Sequence, residues 1–359
     1  MLRLDEKDAF VRSAVQAIAQ GTLPPEPPIH TGWRDRAVEH GVLSVLAWHL
    51  EQVDDPFLRT VRRQHTAQHL TSMADLRAVH DALAGAGVEW LLFKGPVLSE
   101  AVYQRAGTRS YGDLDVLVRP ADVDLAITAL RVAGAVPWGH GRFTQAADEI
   151  RQLTLVMPQG SPLDLHWDIV APPVMRRAFS VDTEELFRES RTVVLDGLAV
   201  RTLGPVDTAL HVALHGMITG ERKLRCLLDV HQAVLRLSRP SELLDRARQF
   251  GLELVLRTML WQVHEVVDAT LAVNLPRPRL SQSCWLAVNA LGMALFPPGS
   301  WQHGLFTGRS LEVAVRAEPL ASWGALIKIL RVSAWQRVRG ARQFVPVPPP
   351  NRGRRERAW

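Results

Sequence analysis

Hydrophobic positions in the first 85 residues recur at the spacing of α-helices. Apolar and small residues recur every three to four positions over Ala9–Ile18, which predicts a helix that ends before the proline-rich stretch 21–28. The same spacing predicts further helices over Trp33–Val53 and Pro56–Gly85. We therefore expect an N-terminal helical region over residues 1–85.

The pattern then changes to short apolar runs of the kind found in β-strands. The four runs are Glu89–Phe93, Asp113–Val118, Gln152–Met157 and Pro162–Val170. Helical spacing predicts helices over Val97–Gln104 and Ala121–Ala133, and the turn Pro158–Ser161 is expected to join the last two strands into a hairpin. This alternation predicts a small mixed β-sheet core over residues 86–203.

Helical spacing returns after Pro205 and predicts a C-terminal helical domain over residues 204–335. Its predicted helices are Asp207–Ile218, Leu224–Leu237, Ser241–Phe250, Leu252–Val273, 283–296 and 310–335. The fold class predicted for the whole chain is α+β, with a small mixed β-sheet core flanked by N-terminal and C-terminal helical regions. Residues 336–359 are rich in Pro and Arg, and we expect them to form a disordered tail.

The composition is that of an ordinary globular protein. Hydrophobic residues make up 47% of the chain and charged residues 22%. No apolar run reaches the roughly 18–20 residues that a membrane span needs, so no membrane contact is predicted. The two cysteines, Cys226 and Cys284, provide neither a disulfide framework nor a four-cysteine zinc site, and they predict a reducing, cytoplasmic location.

The positive charge is concentrated near the end of the sequence. The net charge is +5, and residues 331–359 contain eight Arg and one Glu, which leaves the remainder slightly acidic. Nucleic acid is therefore not an expected partner of the core. The basic tail can contact nucleic acid or an acidic surface, or it can be a solvated end that aids solubility.

Two acids stand one residue apart at the start of the second predicted strand. Asp113 and Asp115 share a face because alternate residues of a strand point the same way, and two ionised carboxylates so close need a cation. Asp164 stands at the start of the fourth strand, so pairing of the two strands would bring three carboxylates to one sheet end. Such oxygen ligands suit Mg²⁺ or Mn²⁺, and metals held this way support phosphoryl chemistry.

Cationic and glycine residues that suit a polyphosphate precede these acids. Lys94-Gly95 lies between a predicted strand and a predicted helix. Glycine lets a phosphate approach the backbone, a helix N-terminus favours an anion, and the lysine adds positive charge. Arg109 precedes the first acid by four residues and is also expected to face a triphosphate, while Tyr111 can stack on a base.

Six further polar residues are candidates for the lining of a substrate cleft. They are His166, His211, His215, Lys223, Arg225 and Asp229. The first histidine can contact substrate or be a hydrogen-bonded structural residue. The other two stand four residues apart on a predicted helix and can bind a metal, but no zinc-type partner accompanies them, so packing or polar lining is favoured. The last two residues form either a surface ion pair or, with the lysine, part of a cleft between domains.

In this order the motifs resemble the uncharacterised nucleotidyltransferases of the DNA polymerase β-like superfamily. The shared order is a strand, Lys-Gly, a helix, Arg-x-Tyr-x-Asp-x-Asp over 109–115 and, about fifty residues later, Asp-x-His-Trp over 164–167. The resemblance covers residues 85–235 and extends to the helical segment that follows the sheet. An isolated Asp-x-Asp also occurs in other enzyme classes, so the combination carries the assignment.

The resemblance implies a role for each matching residue. Asp113 and Asp115 match the paired metal ligands, and Asp164 matches the third acid, which often serves as general base for the attacking hydroxyl. Gly95 matches the first glycine of a Gly-Ser turn that holds phosphate. This chain has Lys-Gly-Pro where many members have Gly-Ser, so Lys94 is expected to replace the phosphate contact of the serine.

The implied activity is transfer of a nucleoside monophosphate from a nucleoside triphosphate to an acceptor hydroxyl, with Mg²⁺ or Mn²⁺ as cofactor. The sequence leaves the acceptor open among a small molecule, a peptide, a protein hydroxyl and an RNA end. Two other classes also stay open. One is a non-catalytic nucleotide- or partner-binding module, and the other is a kinase-like phosphotransferase that uses the same metals.

Overall fold

The computed structural model describes residues 8–138, 151–170, 176, 179–218 and 223–271 of the 359-residue chain. The helices predicted over 283–296 and 310–335, and the tail over 336–359, lie outside these ranges. Within them the fold is α+β as predicted, with helices flanking a seven-stranded mixed sheet. None of the helices in these ranges is both long enough and apolar enough to span a membrane.

The sheet and helices have the following bounds. The strands are β1 (Trp90–Phe93), β2 (Leu114–Val118), β3 (Val136–Pro137), β4 (Gln152–Val156), β5 (Pro162–His166), β6 (Arg191–Leu195) and β7 (Leu198–Thr202). The helices are α1 (Ala9–Ala19), α2 (Gly32–Glu39), α3 (Leu43–His49), α4 (Pro56–Gly85), α5 (Gly95–Val97, continued by a π-helical turn over Leu98–Val102), α6 (Val123–Val132), α7 (Thr183–Arg188), α8 (Pro205–Ile218), α9 (Leu224–Leu235), α10 (Pro240–Gln249) and α11 (Glu253–Val266). The strand order is β3-β4-β5-β2-β1-β7-β6.

The centre of the sheet is formed by β1 and β2, which pair antiparallel. All nine residues of the two strands are buried. Strands buried on both faces are expected to be continuously apolar. Asp115 is the one charged residue in these two strands, and its burial is costly unless a partner compensates the charge.

The helix predicted over Trp33–Val53 is wrong, because the structure has two helices, α2 and α3, in its place. Gly41 separates them with φ of +67°, a left-handed conformation that glycine adopts without steric cost. The amide of Gly41 donates to the carbonyl of Val38, and the amide of Val42 donates to that of Ala37. This is the Schellman arrangement that ends helices, so the glycine terminates α2.

Several elements of the sheet region were not predicted individually. The hairpin of β6 and β7 forms the edge beside β1, and the short strand β3 forms the opposite edge. Asp196 and Gly197 connect β6 to β7 with φ of 45° and 78°. The Asp-Gly dipeptide is a strong signal for this kind of two-residue hairpin turn, so the sequence did contain the information.

Helices from the two ends of the described chain pack against each other. Helix α1 contacts α9, and its Gln16 side chain donates to the carbonyl of Val266 at 3.0 Å. The amide of Arg225, at the start of α9, donates to the carbonyl of His40 at 3.1 Å. One buried apolar cluster runs from α1 through the sheet to α11. The helical regions before and after the sheet therefore flank it and also pack directly against each other.

Candidate functional site

The parallel pairing of β2 and β5 brings two of the predicted acids side by side. Asp115 lies directly opposite Asp164 in this pairing. In-register neighbours on adjacent strands point to the same face of a sheet. The two strands therefore pair, which was the condition for the acids to converge, and Asp115 rather than Asp113 lies opposite Asp164. Asp113 immediately precedes β2. The carboxylates of Asp115 and Asp164 are close enough to raise its pKa.

A compact cluster of potential metal ligands forms at this position. One donor atom each from Asp115, Asp164 and His166 lies within 4.8 Å of the others. His166 follows Asp164 by two residues on β5 and shares its face, and its Nε2 lies 3.1 Å from Asp115 Oδ1. Thr154 on β4 donates a 2.6 Å hydrogen bond from Oγ1 to Asp164 Oδ1. The sheet thus orients every member of the cluster.

Lys94 provides the cation that compensates the buried Asp115. Its Nζ lies 2.7 Å from Asp115 Oδ1 and 5.5 Å from the centre of the Phe93 ring. Its side chain is 15% exposed, whereas that of Asp115 is 1% exposed. The backbone of Lys94 has φ of 55° and ψ of −137°, which is a strained conformation for a residue with a Cβ. Strain of this kind concentrates at functional sites.

The neighbouring acids Asp113 and Asp115 have opposite electrostatic environments. Burial, together with the nearby Asp115 carboxylate, raises the pKa of Asp113 to about 6. Burial alone would raise the pKa of Asp115 as well, but the Lys94 charge and the His166 hydrogen bond outweigh it and hold that pKa well below its usual range. The site therefore keeps one firmly ionised carboxylate and one that gains a proton in mildly acidic solution.

Gly95 lets the Lys94 turn pack directly on the start of β2. A Cβ on Gly95 would lie 3.0 Å from the Asp113 carbonyl oxygen and 3.7 Å from the Tyr111 ring, and the residue has φ of +29°. Tyr111 is buried, and its hydroxyl lies 2.8 Å from Nδ1 of His69 on α4. Gly95 and Tyr111 therefore shape the wall beside the acids, and the contact of these two residues with a nucleotide stays a prediction.

Arg109 belongs to a buried ion pair that joins the loop before β2 to α9. Its Nε and Nη2 donate to the two carboxylate oxygens of Asp229 at 2.7 and 2.8 Å, and the Tyr103 hydroxyl donates to the same carboxylate at 2.7 Å. Asp229 is 5% exposed, so the alternative of a surface pair between Arg225 and Asp229 is wrong. Direct contact of Arg109 with a triphosphate stays a prediction.

The remaining cleft candidates lie on α8 and at the start of α9. His211 packs edge-on against Phe93 with ring centres 5.0 Å apart, and its ring stacks with that of His215 at 6.2 Å. Burial and the Lys94 charge lower the pKa of His211 well below its usual value and that of His215 to about 3, so both imidazoles are neutral. Lys223 precedes α9, and both it and Arg225 are half-buried.

Two residues that support the site were missed in the sequence. Thr154 orients Asp164, and Tyr103 binds Asp229. The hairpin signal fixes this pairing only to within one residue, because counting outward from the predicted turn places Leu155 opposite Asp164, whereas the structure places Thr154 there. No local signal identifies Tyr103, since its partner lies 126 residues away.

Comparison with known proteins assigns the chain to a family. The model of the uncharacterised nucleotidyltransferase family matches residues 35–268, which contain the whole site. The chain belongs to this family. None of the curated proteins matches it.

Among solved structures, the chain is similar to the antibiotic-resistance factor ANT(2'')-Ia. The two sequences are 11% identical, the TM-score is 0.35, and the match covers 55% of this chain and 96% of the other. The family assignment by itself gives nucleotidyl transfer as the general reaction class.

Proposed function

We propose that this protein is a divalent-metal-dependent nucleotidyltransferase that uses a nucleoside triphosphate and an acceptor hydroxyl. The observation that carries the proposal is the register of β2 and β5, which aligns Asp115 with Asp164 beside Asp113 and Lys94. Metal-assisted transfer from a triphosphate needs carboxylates that hold the ion and a cation that meets the phosphates at one place. A cytoplasmic location remains part of this proposal.

The residues present fit a divalent cation. The carboxylates of Asp113, Asp115 and Asp164 lie close together on the sheet, and oxygen ligands are those that Mg²⁺ and Mn²⁺ accept. The raised pKa of Asp113 reflects burial and an excess of negative charge there, and a cation would relieve that excess. When bound, the metal would neutralise polyphosphate charge and hold the phosphates in line for transfer.

The chain's own residues then have defined tasks. The oxygen of the acceptor hydroxyl forms a bond to the α-phosphorus, and Asp164 accepts the proton that this hydroxyl loses. The bond between the α-phosphorus and the bridging oxygen to the β-phosphate breaks, and pyrophosphate leaves. Lys94 balances the charge on that leaving group, and Gly95 keeps the turn close enough for backbone contact. Positioning and charge neutralisation supply most of the rate enhancement in such reactions.

The surrounding residues select and orient the two substrates. We propose that Arg109 supports the nucleotide site through its pair with Asp229, which fixes the loop that carries Tyr111. The neutral imidazoles of His211 and His215, with Lys223 and Arg225, are proposed to line the acceptor side. The acceptor in this proposal is a hydroxyl of a small molecule, a peptide or a protein.

Isotope-labelled nucleotides test the proposed reaction. The protein is incubated with Mg²⁺ or Mn²⁺, a panel of hydroxyl acceptors, and a triphosphate labelled at either the α- or the γ-phosphate. Label transferred from the α position with release of pyrophosphate supports the proposal. Transfer of the γ label instead would establish a kinase-like enzyme, and tight nucleotide binding without either transfer would establish a binding module. The Asp115→Asn and Asp164→Asn variants are the matched inactive controls.

A further inference from the structure

We propose that Asp115, Asp164 and His166 form a mixed carboxylate–imidazole metal site, and that Lys94 and the metal ion compete for the same oxygen of Asp115. The inference deepens the proposed function. It rests on that function only for what the ion does in the reaction, and not for the binding of the ion. It assigns His166 as a metal ligand. It also gives the Lys94 ammonium two positions, one on Asp115 before the metal binds and one on the polyphosphate afterwards. Both parts depend on the contacts of Asp115 Oδ1.

The geometry of His166 suits ligation by its Nε2. This atom lies 3.1 Å from Asp115 Oδ1, a separation that two ligands of one ion have when each is about 2.0–2.2 Å from it. The imidazole is buried, and its Nδ1 has no hydrogen-bond partner among the described residues. In this structure Nε2 donates to the ionised Asp115 carboxylate, so ligation requires the ring proton to move to Nδ1, which frees the lone pair of Nε2 for a metal.

Lys94 already contacts the oxygen that the ion would take. Its Nζ lies 2.7 Å from Asp115 Oδ1, so this oxygen faces both the ammonium and the imidazole. An ammonium and a divalent ion on one oxygen repel each other strongly in a buried site. Binding of the ion therefore displaces Nζ from Asp115. The released ammonium is then available to the polyphosphate, which is the position that the proposed reaction requires.

An imidazole ligand also changes the preferred metal. Mg²⁺ demands oxygen ligands in near-ideal octahedral geometry, whereas nitrogen ligands suit transition metals. A site with Asp115, Asp164 and His166 should therefore favour Mn²⁺ over Mg²⁺ more than an all-carboxylate site does. Because the remaining coordination positions stay open, water and phosphate oxygens can complete the shell.

Titration with Mn²⁺ in the absence of nucleotide tests the competition. Free Mn²⁺ is followed by electron paramagnetic resonance for the wild type, for Lys94→Met, and for Arg131→Met, which removes an equal charge from an exposed position on α6. We expect Lys94→Met to bind Mn²⁺ about tenfold more tightly and the Arg131 variant to stay within about twofold of wild type. Unchanged or weaker binding in Lys94→Met would overturn the competition.

The result does not depend on catalysis, so it separates this inference from the proposed function. If no nucleotidyl transfer is found but Lys94→Met still tightens Mn²⁺ binding, the exchange stands and the reaction assignment fails. Lys94→Gly serves as a second variant that relieves the strained backbone, and it is expected to tighten Mn²⁺ binding similarly. Thermal unfolding of each variant confirms that the titrated protein is folded.

A second titration tests the imidazole. Mg²⁺ affinity is obtained by competition against Mn²⁺ for the wild type, for His166→Gln, and for His264→Gln, an exposed histidine on α11. We expect His166→Gln to weaken Mn²⁺ binding about tenfold or more and Mg²⁺ binding clearly less, while the control changes neither. Equal losses for both ions, or no loss, would show that His166 only supports Asp115 through a hydrogen bond.

Discussion

Single residues of the site trade stability for chemistry, and Lys94 shows this in its backbone. A side chain at φ of 55° and ψ of −137° is kept in a conformation that glycine adopts with little cost. Such strain is of order 1–3 kcal/mol per residue and persists where surrounding structure imposes it. The ion pair with Asp115 offsets part of it, and the proposed phosphate contact explains why the position is not glycine.

Comparison of Lys94→Gly with Lys94→Ala isolates this strain. Both substitutions remove the ion pair with Asp115, but only glycine relaxes the backbone. We expect Lys94→Gly to have a free energy of unfolding about 1 kcal/mol higher than Lys94→Ala. Urea unfolding measures this difference, and both variants should bind nucleoside triphosphate more weakly than the wild type. Equal stability of the two variants would show that the turn is not strained.

The two acids of the Asp-x-Asp motif should affect stability in opposite directions. The pKa of Asp113 is raised from 3.8 to about 6, so the folded state holds this proton more tightly than the unfolded state does. Its contribution to stability is therefore present below about pH 4 and is lost as pH rises to about 6. The pKa of Asp115 is lowered, so its contribution is present above the unfolded pKa and is lost as pH falls.

Replacement of each acid by its amide checks this contrast. At pH 8 with a chelator present, Asp113→Asn should raise the free energy of unfolding by about 1–2 kcal/mol, a gain that disappears below about pH 4. Asp115→Asn should lower it by about 3 kcal/mol, because Lys94 loses its buried partner. Denaturant unfolding across this pH range measures both. Both variants should lose transfer activity. If both substitutions changed the free energy of unfolding in the same direction at pH 8, the opposite pKa shifts assigned to the two acids would be contradicted.

At the scale of elements, the β4–β5 hairpin acts as the support for Asp164. Thr154 lies opposite Asp164 in the antiparallel pairing, and its hydroxyl fixes one carboxylate oxygen. Groups that orient a metal ligand typically contribute 10–100-fold to metal affinity or activity. The hairpin therefore does more than extend the sheet, since it sets the rotamer of the third acid.

Paired substitutions of Thr154 test the support. Thr154→Val keeps the shape and β-branching but removes the hydroxyl, so we expect about tenfold weaker Mn²⁺ binding and a similar loss in kcat. Thr154→Ser keeps the hydroxyl and should restore both values to within about threefold of wild type. The unfolding midpoint serves as the control, because a purely structural role would lower stability without moving metal affinity in the folded protein.

The elements that the sequence predicts well are those fixed by local pattern. The alternation over β4 and β5 and the turn between them predicted the hairpin, and the apolar runs predicted β1 and β2. The sequence indicated that the acids would converge if the strand of Asp115 paired with that of Asp164, but it did not establish the pairing. The parallel register itself could not be predicted, because the two segments are separated by more than forty residues and no turn geometry fixes their alignment.

Charged residues were harder to place than strands. Arg109 and Asp229 carry no local sign that they pair with each other, since they lie 120 residues apart and each has an oppositely charged residue much nearer in the chain. Proximity in sequence favoured a surface pair between Arg225 and Asp229. In the structure Asp229 is buried, the charge of Arg225 contributes after that of Arg109 to its lowered pKa, and packing of α9 against the loop before β2 adds Arg109 as its bidentate partner. Tertiary packing therefore determines which charged residues pair, and helical spacing alone cannot predict these partners.

At the scale of the whole molecule, the site lies where the sheet meets the helices that follow it. His211 on α8 packs on Phe93 at the end of β1, and Asp229 on α9 holds the loop that leads to β2. Helix α9 in turn packs against α1. The geometry of the acids thus depends on the helices that follow the sheet, and the family match over residues 35–268 includes them.

The buried pair of Arg109 and Asp229 gives the last prediction, because it separates a structural role from direct contact with phosphate. Arg109→Met leaves the buried Asp229 carboxylate without its bidentate partner and should lower the free energy of unfolding by about 3–5 kcal/mol. The triple variant Tyr103→Phe, Arg109→Met, Asp229→Leu removes Asp229 together with the two groups that hydrogen-bond to it. It should regain stability to within about 1 kcal/mol of wild type, since an apolar replacement of a buried pair is often neutral.

Nucleotide affinity of the triple variant then decides the role of Arg109. If the arginine acts by fixing the loop before β2, the restored packing should keep nucleoside triphosphate binding within about threefold of wild type. If its guanidinium contacts the triphosphate, the variant should be stable and yet bind at least about tenfold more weakly, since a charge-assisted contact contributes roughly 1.5–3 kcal/mol. The bidentate geometry with Asp229 leads us to expect the first result, measured by calorimetric titration alongside urea unfolding.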